Sequence, residues 1–151
     1  MNIEIIAVDR LREPYLREGC NLYLKRLRSL MPVTVSEIRR STDADGLANE
    51  GARLLERVPD GALLWILDER GRTLSSTALA ARLSQLQHSG KRRLAIVIGG
   101  DRGLANSVRQ RADFCWSLSP LTFLHEMTRL IVLEQLYRAA KINRGEPYHR
   151  E

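Results

Sequence analysis

The sequence contains little cysteine, few aromatic residues and no long apolar segment. Its two cysteines, Cys20 and Cys115, lie far apart and show no paired spacing. This spacing predicts neither a disulfide framework nor a zinc site, and it fits free thiols in a reducing compartment. The longest uninterrupted apolar run, residues 62–67, is much too short to cross a bilayer. We therefore expect a cytoplasmic protein that binds no metal and no membrane.

A chain of 151 residues is of a size typical of one domain, and 44% hydrophobic with 28% charged residues is ordinary for a globular protein. Residues 1–8 are apolar but include Glu4, and they lack a basic start and a small-residue cleavage site. We interpret them as a strand rather than a signal peptide. We expect one domain that spans residues 1–151.

Basic residues outnumber acidic ones by 24 to 18, and the isoelectric point is near 9.9. All but three of the basic residues are arginines. Arginine suits two-point contacts with phosphate, although codon bias explains this composition equally well. Residues 10–40 hold eight basic and three acidic side chains, which is most of the net charge of +6. An excess of this kind favours a nucleic acid as the partner.

The apolar pattern predicts strands and helices in strict alternation. Strands are predicted at 2–8, 33–38, 61–67, 94–98 and 114–118, and helices from Pro14, over 47–58, after Ser75 or Ser76, over 104–111 and over 125–142. The stretch 41–46 offers capping oxygens to the second helix, and the polar stretch 68–72 is interpreted as a turn. Because the middle strands are apolar throughout, we expect an α/β fold with a mostly parallel sheet flanked by helices.

Two polar turns follow buried strands, at the end where parallel sheets bind ligands. The first is "DERG" at 68–71 and the second is "GGDRG" at 99–103. The second turn lacks the Lys-Ser/Thr pair of a P-loop and does not have the spacing of a dinucleotide fingerprint. A plain turn that needs glycine's freedom at positive φ and a turn that holds a ligand both remain open. Two adjacent glycines at the end of a buried strand favour the ligand.

The longest predicted helix begins with "HEMTR", which resembles a metalloprotease motif but has Arg129 in place of the second histidine ligand. A single imidazole cannot hold a catalytic zinc. His125 and Arg129 are four residues apart, so they can form a base and an anion clamp on one helix face. The alternative is that His125 is a capping or surface residue. The apolar centre of this helix favours self-association, and deep burial is the alternative.

The C-terminal residues Tyr148, His149 and Arg150 allow two interpretations. Terminal segments of this kind are commonly frayed. An aromatic ring, an imidazole and a guanidinium are also a reasonable set for holding a nucleotide.

Two stretches together are similar to a known family. "VIGGDRGL" and "SLSPLTFLHEMTRLIVLEQLYRAAKINRGEPYHRE" resemble the RlmH (YbeA) family, bacterial methyltransferases of the large-subunit ribosomal RNA. The resemblance runs the length of the chain. It implies a SPOUT-type α/β fold with a C-terminal trefoil knot, and a homodimer. General topology rules would not predict the knot.

The resemblance also implies that S-adenosylmethionine lies in the knot, held mainly by main-chain atoms. Carried over by position, the cofactor-binding residues are Leu67, Gly99, Gly100, Leu118, Ser119, Pro120, Leu121, Thr122 and Phe123. Family members usually have proline before the histidine, where this chain has Leu124.

The reaction implied is methylation of N3 of a pseudouridine without a metal ion. His125 or His149 would accept the N3 proton, and Arg129 or Arg150 would stabilise the charge that develops on the ring. The tail of one subunit is expected to reach the cofactor site of the other. Arg26, Arg28 and Tyr148 are expected to contact RNA, free or in the assembled ribosome.

Two other functions are compatible with the sequence. One is a non-catalytic module that binds RNA or the ribosome and retains the fold. The other is a nucleotide-binding regulatory domain, which would leave the basic excess without a role.

Overall fold

The computed structural model describes residues 1–42 and 44–148. Within these ranges strands and helices alternate from the first element to the last. Their bounds are β1 Asn2–Val8, α1 Pro14–Leu27, β2 Val33–Ile38, α2 Gly46–Arg57, β3 Leu63–Thr73, α3 Ser76–His88, β4 Arg93–Ile98, α4 Asn106–Arg111, β5 Phe114–Ser117 and α5 His125–Asn143. The predicted order of elements is confirmed.

The five strands form one parallel sheet in the order β2-β1-β4-β3-β5. β1 pairs with β2 from Ile3↔Val33 and with β4 from Ile3↔Leu94. Since all strands run the same way, their carboxyl ends meet along one edge of the sheet, and the glycine turn that follows β4 lies there. The prediction of a parallel α/β sheet with helices on both faces is confirmed.

Alternate residues of the central strands face two separate cores. On β1, Ile3 and Ile5 face the layer made by α1, α3 and α5, whereas Ile6 and Val8 face the layer made by α2 and α4. The same alternation occurs on β4. These strands are therefore apolar throughout because both faces are covered, as is usual for parallel sheets.

The prediction of a turn at 68–72 is wrong, because β3 continues to Thr73. The ladder between β3 and β5 shifts after Leu67 and resumes with Arg72 opposite Trp116. A Cβ on Gly71 would lie 2.6 Å from the carbonyl oxygen of Cys115, so only glycine lets the two backbones come this close. The extension is held by backbone pairing of polar residues, which leaves no apolar pattern in the sequence.

The predicted cap of α3 is confirmed, and at α2 the side chain of the N-cap residue makes no capping hydrogen bond. The hydroxyl of Ser75 accepts a hydrogen bond from the backbone N–H of Ala78 at the start of α3. At the start of α2 the N-cap residue is Asp45, and its side chain caps no backbone N–H. The Asp45 backbone lies outside the extended region that a capping side chain needs, with φ −99° and ψ 23°.

Both cysteines are free thiols, with Cys20 buried in α1 and Cys115 half-buried on β5. Burial raises the pKa of Cys20 to about 11, so its thiol is uncharged at neutral pH. None of the helices in the described ranges is both long and apolar enough to span a membrane.

Candidate functional site

A cleft of about 320 Å³ opens between the irregular middle of β3, around residues 67–70, and the carboxyl end of β4. Its third wall is the loop that follows β5. The cleft is lined by Leu67, Asp68, Glu69, Arg70, Ile98, Gly99, Gly100, Asp101, Gly103, Leu104, Arg109, Leu118, Ser119, Leu121, Thr122, Phe123, His125 and Thr128. We call it the cofactor cleft. Eight of the nine cofactor-binding residues carried over from the family line it, and Pro120 does not.

The glycine turn at 99–103 forms the floor of the cleft beyond β4. The N–H of Gly103 donates to the carbonyl of Gly100 at 3.1 Å, and Gly103 has φ +78°. A Cβ on Gly99 would lie 2.7 Å from the Gly103 carbonyl oxygen, whereas one on Gly100 would meet only the Val8 side chain, at 3.3 Å. Gly99 is thus required by the turn itself. Gly100 presents bare backbone to the cleft.

The loop after β5 is fixed by hydrogen bonds to β3. The Ser117 hydroxyl lies within hydrogen-bond distance of the carbonyls of Glu69 and Ser119, at 3.0 and 2.9 Å. The Thr122 hydroxyl donates to the Glu69 carboxylate. The N–H of Leu121 donates to the Ser119 hydroxyl at 3.1 Å. The main chain of this loop is therefore held in place before any ligand arrives.

Charged side chains around the cleft form ion pairs. Asp68, whose side chain is 7% exposed, forms an ion pair with Arg109 of α4. Asp101 of the glycine turn pairs with Arg40, which follows β2, at 3.3 Å. The partner Arg109 keeps the Asp68 carboxylate from being buried unpaired, whereas the Asp101 side chain is exposed to solvent.

The sequence reasoning missed Asp68, Glu69 and Arg109 as site residues. The sequence did contain a signal that Asp68 and Glu69 lie at a binding site, because the "DERG" stretch follows an apolar strand. Arg109 gives no such signal. Its partner lies 41 residues earlier, and only the folded chain brings the two together.

His125 and Arg129 do not share one cavity, although they are four residues apart on α5. His125 is the first residue of the helix and lines the cofactor cleft. Arg129 is buried and faces the ends of β1 and β2. Its terminal nitrogens donate to the Glu37 carboxylate at 2.5 Å and to the Asp9 carbonyl at 2.8 Å. The predicted base is at the cleft, and the predicted clamp is engaged elsewhere.

Tyr148 packs onto its own subunit, against α5 and α1. Its hydroxyl donates to Glu134 at 3.1 Å and lies 3.4 Å from the hydroxyl of Tyr23. Its ring meets that of Tyr137 edge-on at 4.8 Å. Burial, followed by the hydrogen bond with Tyr23, raises the pKa of Tyr148, so the hydroxyl stays protonated as a donor. His149 and Arg150 lie outside the described residues.

Arg26 and Arg28 lie at the C-terminal end of α1. The Arg26 guanidinium lies 5.4 Å from the centre of the Tyr23 ring and 5.8 Å from that of Tyr137. Arg28 is exposed and caps the helix. Both side chains belong to the basic N-terminal region that the sequence singled out.

The residues of the cofactor cleft fit S-adenosylmethionine. Leu67, Ile98 and Leu104 give an apolar wall, the glycine turn and the loop 118–123 offer main-chain donors and acceptors, and Asp68 and Glu69 carry the charge that suits a sulfonium or an amine. Over residues 1–42 and 44–148 no three histidine, cysteine or acidic residues converge as metal ligands.

The family profile described as "Predicted SPOUT methyltransferase" matches residues 1–149. The chain belongs to the SPOUT methyltransferase family. Within it, the chain is 43% identical over 159 aligned residues to ribosomal RNA large subunit methyltransferase H of Acetivibrio thermocellus, which covers 99% of this chain and 100% of that protein. The protein of the same name from Thioalkalivibrio sulfidiphilus is 44% identical, with both chains covered completely. The resemblance inferred from the sequence is confirmed.

Solved methyltransferase structures share the fold at low sequence identity. The tRNA (m1G37) methyltransferase of Aquifex aeolicus has a TM-score of 0.58 at 17% identity, covering 100% of this chain and 76% of its own. A Legionella pneumophila methyltransferase solved with bound S-adenosylmethionine has a TM-score of 0.50 at 13% identity, covering 93% and 66%. S-adenosylmethionine is the cofactor of this family, as the resemblance implied.

Proposed function

We propose that this protein transfers a methyl group from S-adenosylmethionine to N3 of a pseudouridine in large-subunit 23S ribosomal RNA. The observation that carries the proposal is the cofactor cleft, in which the residues implied by the family resemblance come together around the glycine turn with His125 at the rim. Full-length relatives named for ribosomal RNA methylation support the choice of substrate. The basic excess supports an RNA partner.

We further propose that residues 1–151 form one SPOUT domain that acts in the cytoplasm as a homodimer, with the segment after β5 threaded as a trefoil knot. The proximity of the loop 118–123 and the glycine turn in one cleft supports the knot. The exposed side chains of Leu121 and Leu124 beside the cleft support a covering partner subunit, since large apolar side chains rarely cluster in solvent.

When bound, S-adenosylmethionine supplies a methyl group on a positively charged sulfur, and the sulfur leaves as a neutral thioether. The chain has to hold the donor, orient the acceptor and remove one proton. The backbone of Gly100 and the loop 118–123 hold the donor, and the fixed loop provides orientation, for which the rate effect can be large. No step requires a metal.

The N3 proton goes to a base at the cleft rim. An imidazole nitrogen of His125 is available, because His125 has no hydrogen-bond partner in the described part of the chain. His149 from the partner's tail is the other candidate. Since both terminal nitrogens of Arg129 are engaged by Glu37 and Asp9, we assign charge stabilisation on the ring to Arg150.

The proposed function is tested by methyl transfer with labelled S-adenosylmethionine. Large ribosomal subunits are purified from a strain that lacks this protein, incubated with the enzyme and analysed by mapping the modified nucleotide. We expect label on N3 of one pseudouridine. Binding of subunits without transfer would overturn the enzymatic proposal and favour the non-catalytic RNA-binding alternative.

A second experiment tests whether the basic C-terminal end of α1 contacts RNA. Replacement of Arg26 and Arg28 by Glu is expected to weaken ribosome binding, because two cations that face phosphate become anions. Binding is measured over a series of salt concentrations. A salt dependence equal to that of the unchanged protein would argue against this surface.

A further inference from the structure

A second cleft, of about 760 Å³, opens at the carboxyl ends of β1 and β2. Its floor is apolar and includes Leu24 and Val35. Its walls carry four arginines, namely Arg10, Arg12, Arg17 and Arg129. We call it the arginine cleft. It shares the carboxyl edge of the sheet with the cofactor cleft, and neither the family profile nor the relatives assign it a ligand.

Glu37, which lines this cleft, and Asp9, which lines the adjoining cavity, are already paired. Glu37 accepts from Arg129 at 2.5 Å. Asp9 accepts the backbone N–H of Arg40 at 3.0 Å and lies 4.0 Å from its guanidinium. The positive charge of the remaining arginines is therefore not cancelled by these carboxylates.

Arg10 and Arg12 are the two arginines of the cleft whose guanidinium groups have no partner in the described part of the chain. Both are exposed, and neither guanidinium has a hydrogen bond or an ion pair within residues 1–42 and 44–148. An exposed arginine without a protein partner stays hydrated in the free protein, and all five of its N–H donors are available to a ligand. The two side chains suit an anion that comes from outside the chain.

The loop that carries these two residues is nevertheless held firmly. The buried carboxylate of Glu126 accepts the backbone N–H groups of Arg12 and Glu13, at 2.5 and 3.3 Å. Arg17 donates to the carbonyl of Leu11 at 2.9 Å. Arg129 donates to the carbonyl of Asp9, which has φ +65°. A preorganised loop loses little entropy when its side chains bind, which favours a binding role.

Arg129 offers a third donor. Its side chain is only 4% exposed, and its Nε–H has no partner in the described chain. An unpartnered buried N–H is costly in a folded protein, and an acceptor that enters the cleft would remove that cost.

We propose that the arginine cleft binds the phosphodiester backbone of the RNA substrate beside the nucleotide that is methylated. The inference rests on the proposed function for the identity of the RNA. His125 at the cofactor cleft and Arg129 at the arginine cleft are four residues apart on α5, about 6 Å along its axis. A nucleotide whose base enters one cleft thus brings its neighbouring phosphates to the other. Arg40 pairs with Asp101 of the cofactor cleft and lines a further cavity together with Arg10 and Arg12.

The position of this cleft distinguishes it from the basic end of α1. A 14-residue helix is about 21 Å long, so Arg26 and Arg28 lie far from the carboxyl edge within one subunit. Arg10 and Arg12 precede the same helix and lie at that edge. They are therefore the cations placed to position the target nucleotide.

The test compares the double variant Arg10→Gln/Arg12→Gln with the unchanged protein. Binding to unmodified large subunits, in the absence of cofactor, is measured between low and high salt. We expect an affinity roughly 10-fold or more lower, and a slope of log affinity against log salt reduced by about 1.4–1.8, since each phosphate contact contributes about 0.7–0.9. The KM for subunits should rise with kcat nearly unchanged, and calorimetry should give the same affinity for S-adenosylmethionine.

Arg92→Gln/Arg93→Gln is the matched control. It removes the same charge from two exposed arginines at the amino end of the sheet, and should bind subunits nearly as the unchanged protein does. An unchanged salt slope in the first variant, or an equal loss in the control, would overturn the proposal. If the unchanged protein transfers no methyl group, the proposed function fails, whereas the cofactor-free binding comparison still decides the role of the cleft.

Discussion

At the scale of single residues, neighbouring positions with the same side chain have different roles. Gly99 and Gly100 both line the cofactor cleft, but a Cβ on the first would clash with the Gly103 carbonyl oxygen, whereas a Cβ on the second would meet only the Val8 side chain. The sequence suggested that bare backbone at this turn serves the cofactor. The geometry supports that reason for Gly100 and gives Gly99 a reason that lies within the chain.

Alanine at these two glycines should therefore separate stability from binding. Gly99→Ala is expected to lower the free energy of unfolding by about 1–3 kcal/mol, because the new methyl group meets a backbone oxygen that cannot move aside. Gly100→Ala should unfold close to the unchanged protein but bind S-adenosylmethionine more weakly. Urea unfolding and calorimetry measure the two effects. Equal loss of stability in both variants would contradict this assignment.

The backbone conformation of Leu124 is one that proline can adopt. Its φ is −55°, its side chain is 52% exposed, and no acceptor for its N–H occurs in the described chain. Leu124→Pro should therefore stabilise the protein by about 0.4–1 kcal/mol through the unfolded state. That gain corresponds to about 1–4 °C in Tm for a chain of this length, measured by thermal unfolding.

Leu121→Pro is the control for this prediction. Leu121 is also exposed, but its N–H donates to Ser119, and proline would remove that hydrogen bond. We expect a lower Tm for this variant. A rise in both, or a fall in both, would mean that the backbone geometry does not decide the outcome.

At the scale of elements, α5 connects parts of the chain that sequence reasoning treated separately. Glu126 in its first turn holds the backbone before α1, 114 and 113 residues away. Arg129 one turn later holds the ends of β1 and β2. The first turns of α5 thus fix the approach to α1, which packs beside it.

Removal of one such contact should destabilise this junction. Glu126→Ala leaves two backbone N–H groups without their charged acceptor, so we expect a loss of roughly 1–3 kcal/mol in unfolding free energy. Urea denaturation measures it from the midpoint and slope. Glu56→Ala, at an exposed position of α2 without a side-chain partner in the described chain, should change stability little. A similar effect of the two substitutions would contradict the role given to Glu126.

The elements could be predicted from sequence wherever burial leaves a pattern. β1 and β4 are covered on both faces, and their apolar runs gave their positions to within one residue. The second half of β3 could not be found, because Arg72 and Thr73 pair through backbone atoms alone. The place of the glycine turn and the loop 118–123 in the candidate site could be predicted, the first from its glycine motif and the second from the family resemblance. The Asp68–Arg109 and Arg12–Glu126 contacts could not be predicted from the sequence, because they depend on how elements distant in the chain pack together.

At the scale of the whole molecule, the placement of Tyr148 bears on how the tail acts. Tyr148 is fixed to α5 and α1 of its own subunit. If the three residues after it complete the partner's cofactor cleft, as we propose, each active site combines a cleft from one chain with a tail from the other.

A mixed dimer tests this arrangement. A chain that lacks residues 149–151 and a chain with Gly100→Arg, which fills the cofactor cleft, should each be inactive in methyl transfer. Co-expressed, they should recover activity, because one of the two sites then has an intact cleft and an intact tail. Transfer of labelled methyl groups to large subunits measures the recovery. Tails that act on their own subunit would leave the mixture inactive.

The first two turns of α5 are a common wall of the cofactor cleft and the arginine cleft. A ligand that displaces this wall from one side changes the shape of the cavity on the other side, without any domain movement. The affinities for S-adenosylmethionine and for RNA are then linked. The factor by which bound S-adenosylmethionine changes the affinity for RNA must equal the factor by which bound RNA changes the affinity for S-adenosylmethionine. Such coupling is symmetric and sets no order of binding, because it depends only on how this stretch of helix responds to either ligand.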